Sequence, residues 1–169
     1  MSKSAYLSLL QLAVLVLTLT TGAAAIAEVE IGTLSYLDRS YMKQQRERIE
    51  ELSLRNLGRS LNGTTVNDLA ILQSLLDKKL VTGEQKLELQ AMGVIMGDLL
   101  AADLGLDWVI YEDKVGRSRA LRYRQTDNYL FPMTMISRRR EVGNMDTVAD
   151  IYHKAHASMA AVIEPLPFQ

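Results

Sequence analysis

The chain has 169 residues, with 19 lysines and arginines against 20 aspartates and glutamates, no cysteine, and 48% hydrophobic residues. These proportions suit one ordinary globular domain and argue against a disordered chain. A formal net charge of −1 argues against a protein that mainly neutralises nucleic-acid phosphates, so we predict no nucleic-acid partner. The lack of cysteine excludes a disulfide scaffold, a thiolate metal site and a cysteine nucleophile.

The N-terminal residues have the pattern of a secretory signal peptide. Lys3 supplies one positive charge, a largely apolar run extends from Ala5 to Leu19, and small residues follow. The small-x-small rule places cleavage after Ala25 or after Ala27, and we prefer the second because a polar chain then begins. We therefore expect a soluble periplasmic protein. The alternative is an inner-membrane protein with an uncleaved N-terminal anchor, although the run is short for a bilayer span.

The remaining chain predicts three helices before any strand. The first is amphipathic, runs from Leu37 to Leu57 and ends at Gly58. The second extends over 66–80. The third follows a capping-box pattern at 82–85 and runs to Gly105, and its apolar residues surround the helix, which predicts a central, buried position.

A change to strand-like patterning follows Gly105. Residues 108–111 and 117–126 predict a hairpin, and 129–138, with Pro132 at an edge or bulge, predict a third strand. A last amphipathic helix covers 148–162. The predicted fold is α+β in the order αααβββα, a three-stranded antiparallel meander packed against helices. We divide the chain into a signal peptide, an N-terminal helical region, an α+β domain and a C-terminal tail: 1–27, 28–78, 79–164 and 165–169.

Asp98 is the most informative polar residue, because it lies in the helix that is predicted to be buried. A lone buried carboxylate is costly unless it is paired or protonated. We predict a bidentate pair with an arginine of the sheet region, and the alternative is a helix junction wet enough to hydrate the carboxylate. Seven arginines stand in that region: Arg117, Arg119, Arg122, Arg124, Arg138, Arg139 and Arg140.

Trp108, Arg122 and Arg138 are further candidates for structural or binding roles. Trp108 could stack a ligand, but a strand tryptophan more often belongs to the core. The arginines could bind an anionic ligand, although the run 138–140 is typical of a solvated surface. His153 and His156, with Asp150, are too widely spread around the last helix to favour a metal site over a polar face. We predict no metal and no cofactor.

Two sequence blocks resemble those of an uncharacterised bacterial domain family of about 90 residues. They are Leu104-Gly105-Leu106-Asp107-Trp108, similar to Leu-Gly-Leu-x-Trp, and 130–136, similar to Phe-Pro-x-Thr-Met-Ile. The resemblance spans Lys79 to Ala157, includes the Gly97-Asp98 step, and leaves the first two helices outside. It implies a bacterial source and supplies no catalytic residue.

These features favour an exported bacterial protein that acts as a periplasmic binding or protein-interaction module. Its partner is predicted to be an unknown protein or small ligand, with membrane contact only through an uncleaved signal peptide. The alternative is a small periplasmic hydrolase or lyase that uses Asp98 with a nearby arginine. No catalytic residue is predicted, because the sequence contains no phosphate-binding loop, nucleophile elbow or His-Glu-x-x-His motif.

Overall fold

The computed structural model describes residues 29–163, so the predicted signal peptide, its cleavage sites and the predicted tail lie outside the described residues. Helices and strands alternate in groups along this range. In chain order they are β1 (Glu30–Thr33), α1 (Tyr36–Leu57), α2 (Thr65–Asp77), α3 (Lys86–Leu104), β2 (Asp107–Asp113), β3 (Gly116–Arg122), β4 (Tyr129–Leu130), α4 (Pro132–Glu141) and α5 (Val148–Ile163). No helix in 29–163 is both long and apolar enough to span a membrane.

The core forms around α3, as its apolar pattern predicts. Leu89, Met96 and Leu100 are fully buried on one side of this helix, and Ala91 and Val94 are fully buried on the opposite side. The helices α1, α2, α4 and α5 all contact it. A helix that is apolar on all sides must be covered on all sides. Two of the covering helices, α1 and α2, precede α3 in the chain, and the other two, α4 and α5, follow it.

The strands form one antiparallel sheet in the order β1-β2-β3-β4. The register pairs Tyr111 with Ser118 in the central hairpin, and Leu121 with Leu130 between β3 and β4. The pairing of β3 with β4 stops there, because the chain turns into α4 at Pro132. Residues 116–120 of β3 therefore have no partner strand on that side among the described residues.

The α+β class, the antiparallel sheet and the rough order of three helices, then strands, then helix are confirmed, but the sheet has four strands and not three. The lead-in before the first helix forms β1, an edge strand that pairs with β2 through Glu30 and Glu112. The predicted third strand over 129–138 is a strand only at its first two residues and then becomes α4. Pro132 occupies the first turn of that helix, where its missing N–H and fixed φ are favourable, and the run 138–140 places positive charge at the helix C-terminus.

Two glycines allow α4 to approach α3 closely. A Cβ atom on Gly93 would lie 2.6 Å from the carbonyl oxygen of Pro132 and 2.7 Å from Cα of Met133. A Cβ on Gly97 would overlap the indole ring of Trp108. Glycine is required at both positions because backbone and a rigid ring occupy the space. The contact at Gly93 fixes the first turn of α4 against α3.

Candidate functional site

Asp98 does accept a bidentate arginine pair, but the predicted partner was wrong. Arg46 of α1 donates from Nε to Oδ2 at 2.6 Å and from Nη2 to Oδ1 at 2.8 Å. The pKa of Arg46 is raised because its guanidinium donates to this carboxylate. The seven arginines of the sheet region are not involved, because Asp98 lies on the side of α3 that faces α1.

Trp108 completes this cluster and has a structural role in the described residues. Its indole Nε1 donates to Oδ1 of Asp98 at 3.0 Å, while its ring lies against Gly97. Both carboxylate oxygens of Asp98 thus accept hydrogen bonds, three in all. The side chains of Arg46 and Asp98 are 38% and 32% exposed, so the cluster is a half-buried clamp between α1, α3 and β2.

Arg122 stabilises the loop between β3 and β4. Its Nε donates to the carbonyl of Thr126 at 2.7 Å, and its Nη2 donates to the carbonyl of Gln125 at 3.0 Å. The guanidinium also lies 5.5 Å from the ring centre of Tyr129. These two hydrogen bonds tie the end of β3, where Arg122 lies, to the following loop and direct its guanidinium away from Asp98.

Arg138 lines an open cleft between β3 and α4. The cleft has a volume of about 410 Å³. Its walls include the arginines Arg117, Arg119 and Arg138, the aromatic rings of Tyr111 and Phe131, and Gln90 of α3. The two rings lie edge to face with centres 5.3 Å apart. The candidate functional site is this cleft, called the β3–α4 cleft below.

Arg138 differs from the other two arginines of the cleft. Arg117 and Arg119 both contact Asp38, whereas the exposed Arg138 makes no hydrogen bond or ion pair within residues 29–163. Asp113 is the one carboxylate among the described residues that line the cleft, and its Oδ1 accepts from the amides of Val115 and Gly116 in the hairpin turn. The lining therefore contains three positive charges and one negative charge, in a chain whose net charge is −1.

Asp38 anchors the other two arginines and was not singled out by the sequence. It is 2% exposed, and Arg117 donates to its two oxygens at 2.9 and 2.7 Å, while Nη2 of Arg119 lies 2.8 Å from Oδ1. The Arg117 guanidinium, with help from Ser35 and Arg119, holds the pKa of this carboxyl well below its usual range, against the opposing effect of burial. The sequence pattern that could have identified Asp38 is Ser35-x-x-Asp38, which has the spacing of a capping box.

The polar face of α5 carries the two histidines. Asp150 accepts from the hydroxyl of Thr147 at the start of this helix, and both His153 and His156 pack near the ring of Tyr152. No three metal-ligating side chains come together in the part of the chain that the structure describes.

Comparison with known proteins places the chain in a family. The model of a domain of unknown function, DUF3806, matches residues 68–152, half of the chain. A crystal structure from Bacteroides thetaiotaomicron has a similar fold, with a TM-score of 0.68, 19% sequence identity and 75% of this chain covered. The chain spans 47% of the length of that structure. No curated protein matches. The predicted membership of an uncharacterised domain family is confirmed: the chain belongs to the DUF3806 family.

Proposed function

We propose that this chain is an exported binding module whose ligand carries negative charge and occupies the β3–α4 cleft. The observation that carries the proposal is the meeting of Arg117, Arg119 and Arg138 with two aromatic rings in one open cleft. Ligand sites are commonly concave, with apolar walls and a few polar groups that fix orientation. Arginine suits carboxylate and phosphate groups because its planar guanidinium can donate two parallel hydrogen bonds.

The geometry at Asp98 favours binding over the hydrolase or lyase alternative. A general acid or base must exchange a proton with a substrate, and it must lie within hydrogen-bond reach of that substrate. Asp98 already accepts two hydrogen bonds from Arg46 and one from Trp108. Such an arrangement holds α1, α3 and β2 together, which is a structural task.

Export is part of the proposal and is supported by the N-terminal sequence. A cation, an apolar run and small residues before Glu28 match the arrangement of secretory leaders. Mass spectrometry of the periplasmic fraction should find a mature N-terminus at Ile26 or Glu28. Recovery of an intact N-terminus in the membrane fraction would show instead that the segment is a permanent anchor.

Titration of the ¹⁵N-labelled protein with poly-L-glutamate tests the binding site. We expect saturable amide shifts at residues 116–119 and 131–138, with poly-L-lysine as the negative control. The variant Arg138→Glu should weaken binding by about tenfold or more, since a close charge contact contributes on the order of 1.4 kcal/mol.

The matched control for that variant is Arg55→Glu, which changes the net charge equally. Arg55 is exposed in the last turn of α1 and makes no hydrogen bond or ion pair within 29–163. Equal weakening by both variants would indicate a general charge effect and would contradict a site in the cleft. Absence of shifts around the cleft would contradict it as well.

A further inference from the structure

We infer that the β3–α4 cleft binds an extended acidic peptide segment, which adds to the free side of β3 as a further antiparallel strand. The inference rests on the proposed function and specifies its ligand. Its support comes from the backbone of β3, the shape of the cleft and the charges along its walls.

The backbone of β3 has unused hydrogen-bonding groups that face the cleft. The amide of Tyr123 donates to the carbonyl of Asn128 across the β3–β4 pairing. Backbone groups of every second strand residue point to the same neighbour, so Leu121, Arg119 and Arg117 direct theirs to this side. Leu121 is paired with Leu130, whereas residues 116–120 have no partner strand there within the described range. An added strand could form about four backbone hydrogen bonds with Arg117 and Arg119.

Helix α4 provides the opposite wall at a fixed position. Phe131, Thr134 and Arg138 all line the cleft, and their spacing of three and four residues places them along one side of the helix, from its N-cap to its last turn. Gln90 of α3 also lines the cleft. The contact of α4 with Gly93 holds this wall beside the strand edge. An extended chain between a strand edge and a helix is a recurrent mode of peptide recognition.

The charges along the cleft indicate acidic side chains in the peptide. In an antiparallel pairing, residues opposite Arg117 and Arg119 direct their side chains to the same face of the sheet as those arginines. The two guanidiniums share the single carboxylate of Asp38, which leaves one positive charge in excess at that triad. Glu112 lies opposite Arg117 on β2 but does not line the cleft. Arg138 adds an exposed guanidinium on the facing wall.

A pair of N-methylated peptides tests strand addition directly. The probe is an acetylated, fluorescein-labelled peptide of four Glu-Val repeats, with a Lys-Val peptide as the charge control. In the expected register, the glutamates opposite Arg117 and Arg119 direct their amides toward β3, and the valines direct theirs away. Methylation of the glutamate amides should weaken binding by about tenfold or more, because it removes hydrogen bonds across the edge. Methylation of the valine amides should leave affinity within about twofold.

The outcomes separate this inference from the proposed function. Selective loss on glutamate methylation, together with slowed hydrogen exchange at the amides of Arg117 and Arg119, supports strand addition. Equal binding of both methylated peptides, with shifts at Phe131 and Arg138, would overturn strand addition and leave the anionic cleft standing. If neither the Glu-Val peptide nor poly-L-glutamate moves any amide of the cleft, both the inference and the proposed function are wrong.

Discussion

The substitution Gly93→Ala sets two physical effects of opposite sign against each other. Alanine is favoured over glycine inside a helix by about 1 kcal/mol. The added methyl group, however, would lie 2.6 Å from the carbonyl oxygen of Pro132 and 2.7 to 2.8 Å from the backbone of Met133. Comfortable contacts begin near about 3.5 Å, so the first turn of α4 would have to move by about 0.9 Å.

We expect the clash to exceed the helix preference. Overpacking costs about 1–3 kcal/mol, and the upper part of that range applies here because the obstacle is backbone and not a flexible side chain. The net change should lower the free energy of unfolding by about 1–2 kcal/mol, measured by urea denaturation. Because the moved turn is one wall of the β3–α4 cleft, the variant should also bind poly-L-glutamate less tightly.

The control for helix preference is Ala102→Gly on the exposed side of the same helix. It should lower stability by about 1 kcal/mol through preference alone. If Gly93→Ala were as stable as the wild type or more stable while Ala102→Gly lost stability, the close approach of α4 to α3 would be refuted.

Two further predictions concern the ion pairs. The first uses a double-mutant cycle of Asp98→Ala and Arg46→Ala. We expect Asp98→Ala to lower the free energy of unfolding by about 2 kcal/mol, less than the roughly 3–5 kcal/mol typical of fully buried pairs, because both side chains are partly exposed. The two substitutions should be coupled by about 1 kcal/mol, and strictly additive effects would contradict the pair. The depressed pKa of Asp38 stabilises the fold above the ordinary carboxyl pKa, and this stabilisation is lost as pH falls through the folded-state value. Asp38→Asn should therefore lower the free energy of unfolding, measured in urea, by about 2–3 kcal/mol at pH 7 and by progressively less below about pH 4. A difference between the variant and the wild type that did not change with pH would contradict a stabilising role for the ionised carboxylate.

Local patterns predicted the helices well and the sheet less well. The periodicity of α1, α2, α3 and α5 and the apolar surround of α3 are properties of short segments, so they could be read from the sequence. The four residues of β1 contain no strong alternation, and their strand state depends on pairing with β2 far along the chain. The segment after Leu130 alternates like a strand, but Pro132 and the contact with Gly93 make it helical.

Individual residues of the site could be predicted from the sequence, but their arrangement in space could not. Asp98 was recognised as needing an arginine, yet its partner lies 52 positions away on the amphipathic first helix and not in the sheet region. Arg138 was named as a candidate, but its position beside Arg117 and Arg119 depends on where β4 ends and α4 begins. No periodicity encodes that geometry, because it arises from packing between distant segments.

Asp38 serves two structural elements with one carboxylate. It accepts the backbone N–H that begins α1, and it binds arginines that are 79 and 81 positions further along the chain. The start of a helix and the middle of a strand therefore cannot open separately without leaving a buried charge unpaired. The same carboxylate that caps the start of α1 thus also binds a distant strand. We therefore expect the edge of β3 that borders the cleft to unfold together with the first turn of α1, as one cooperative unit.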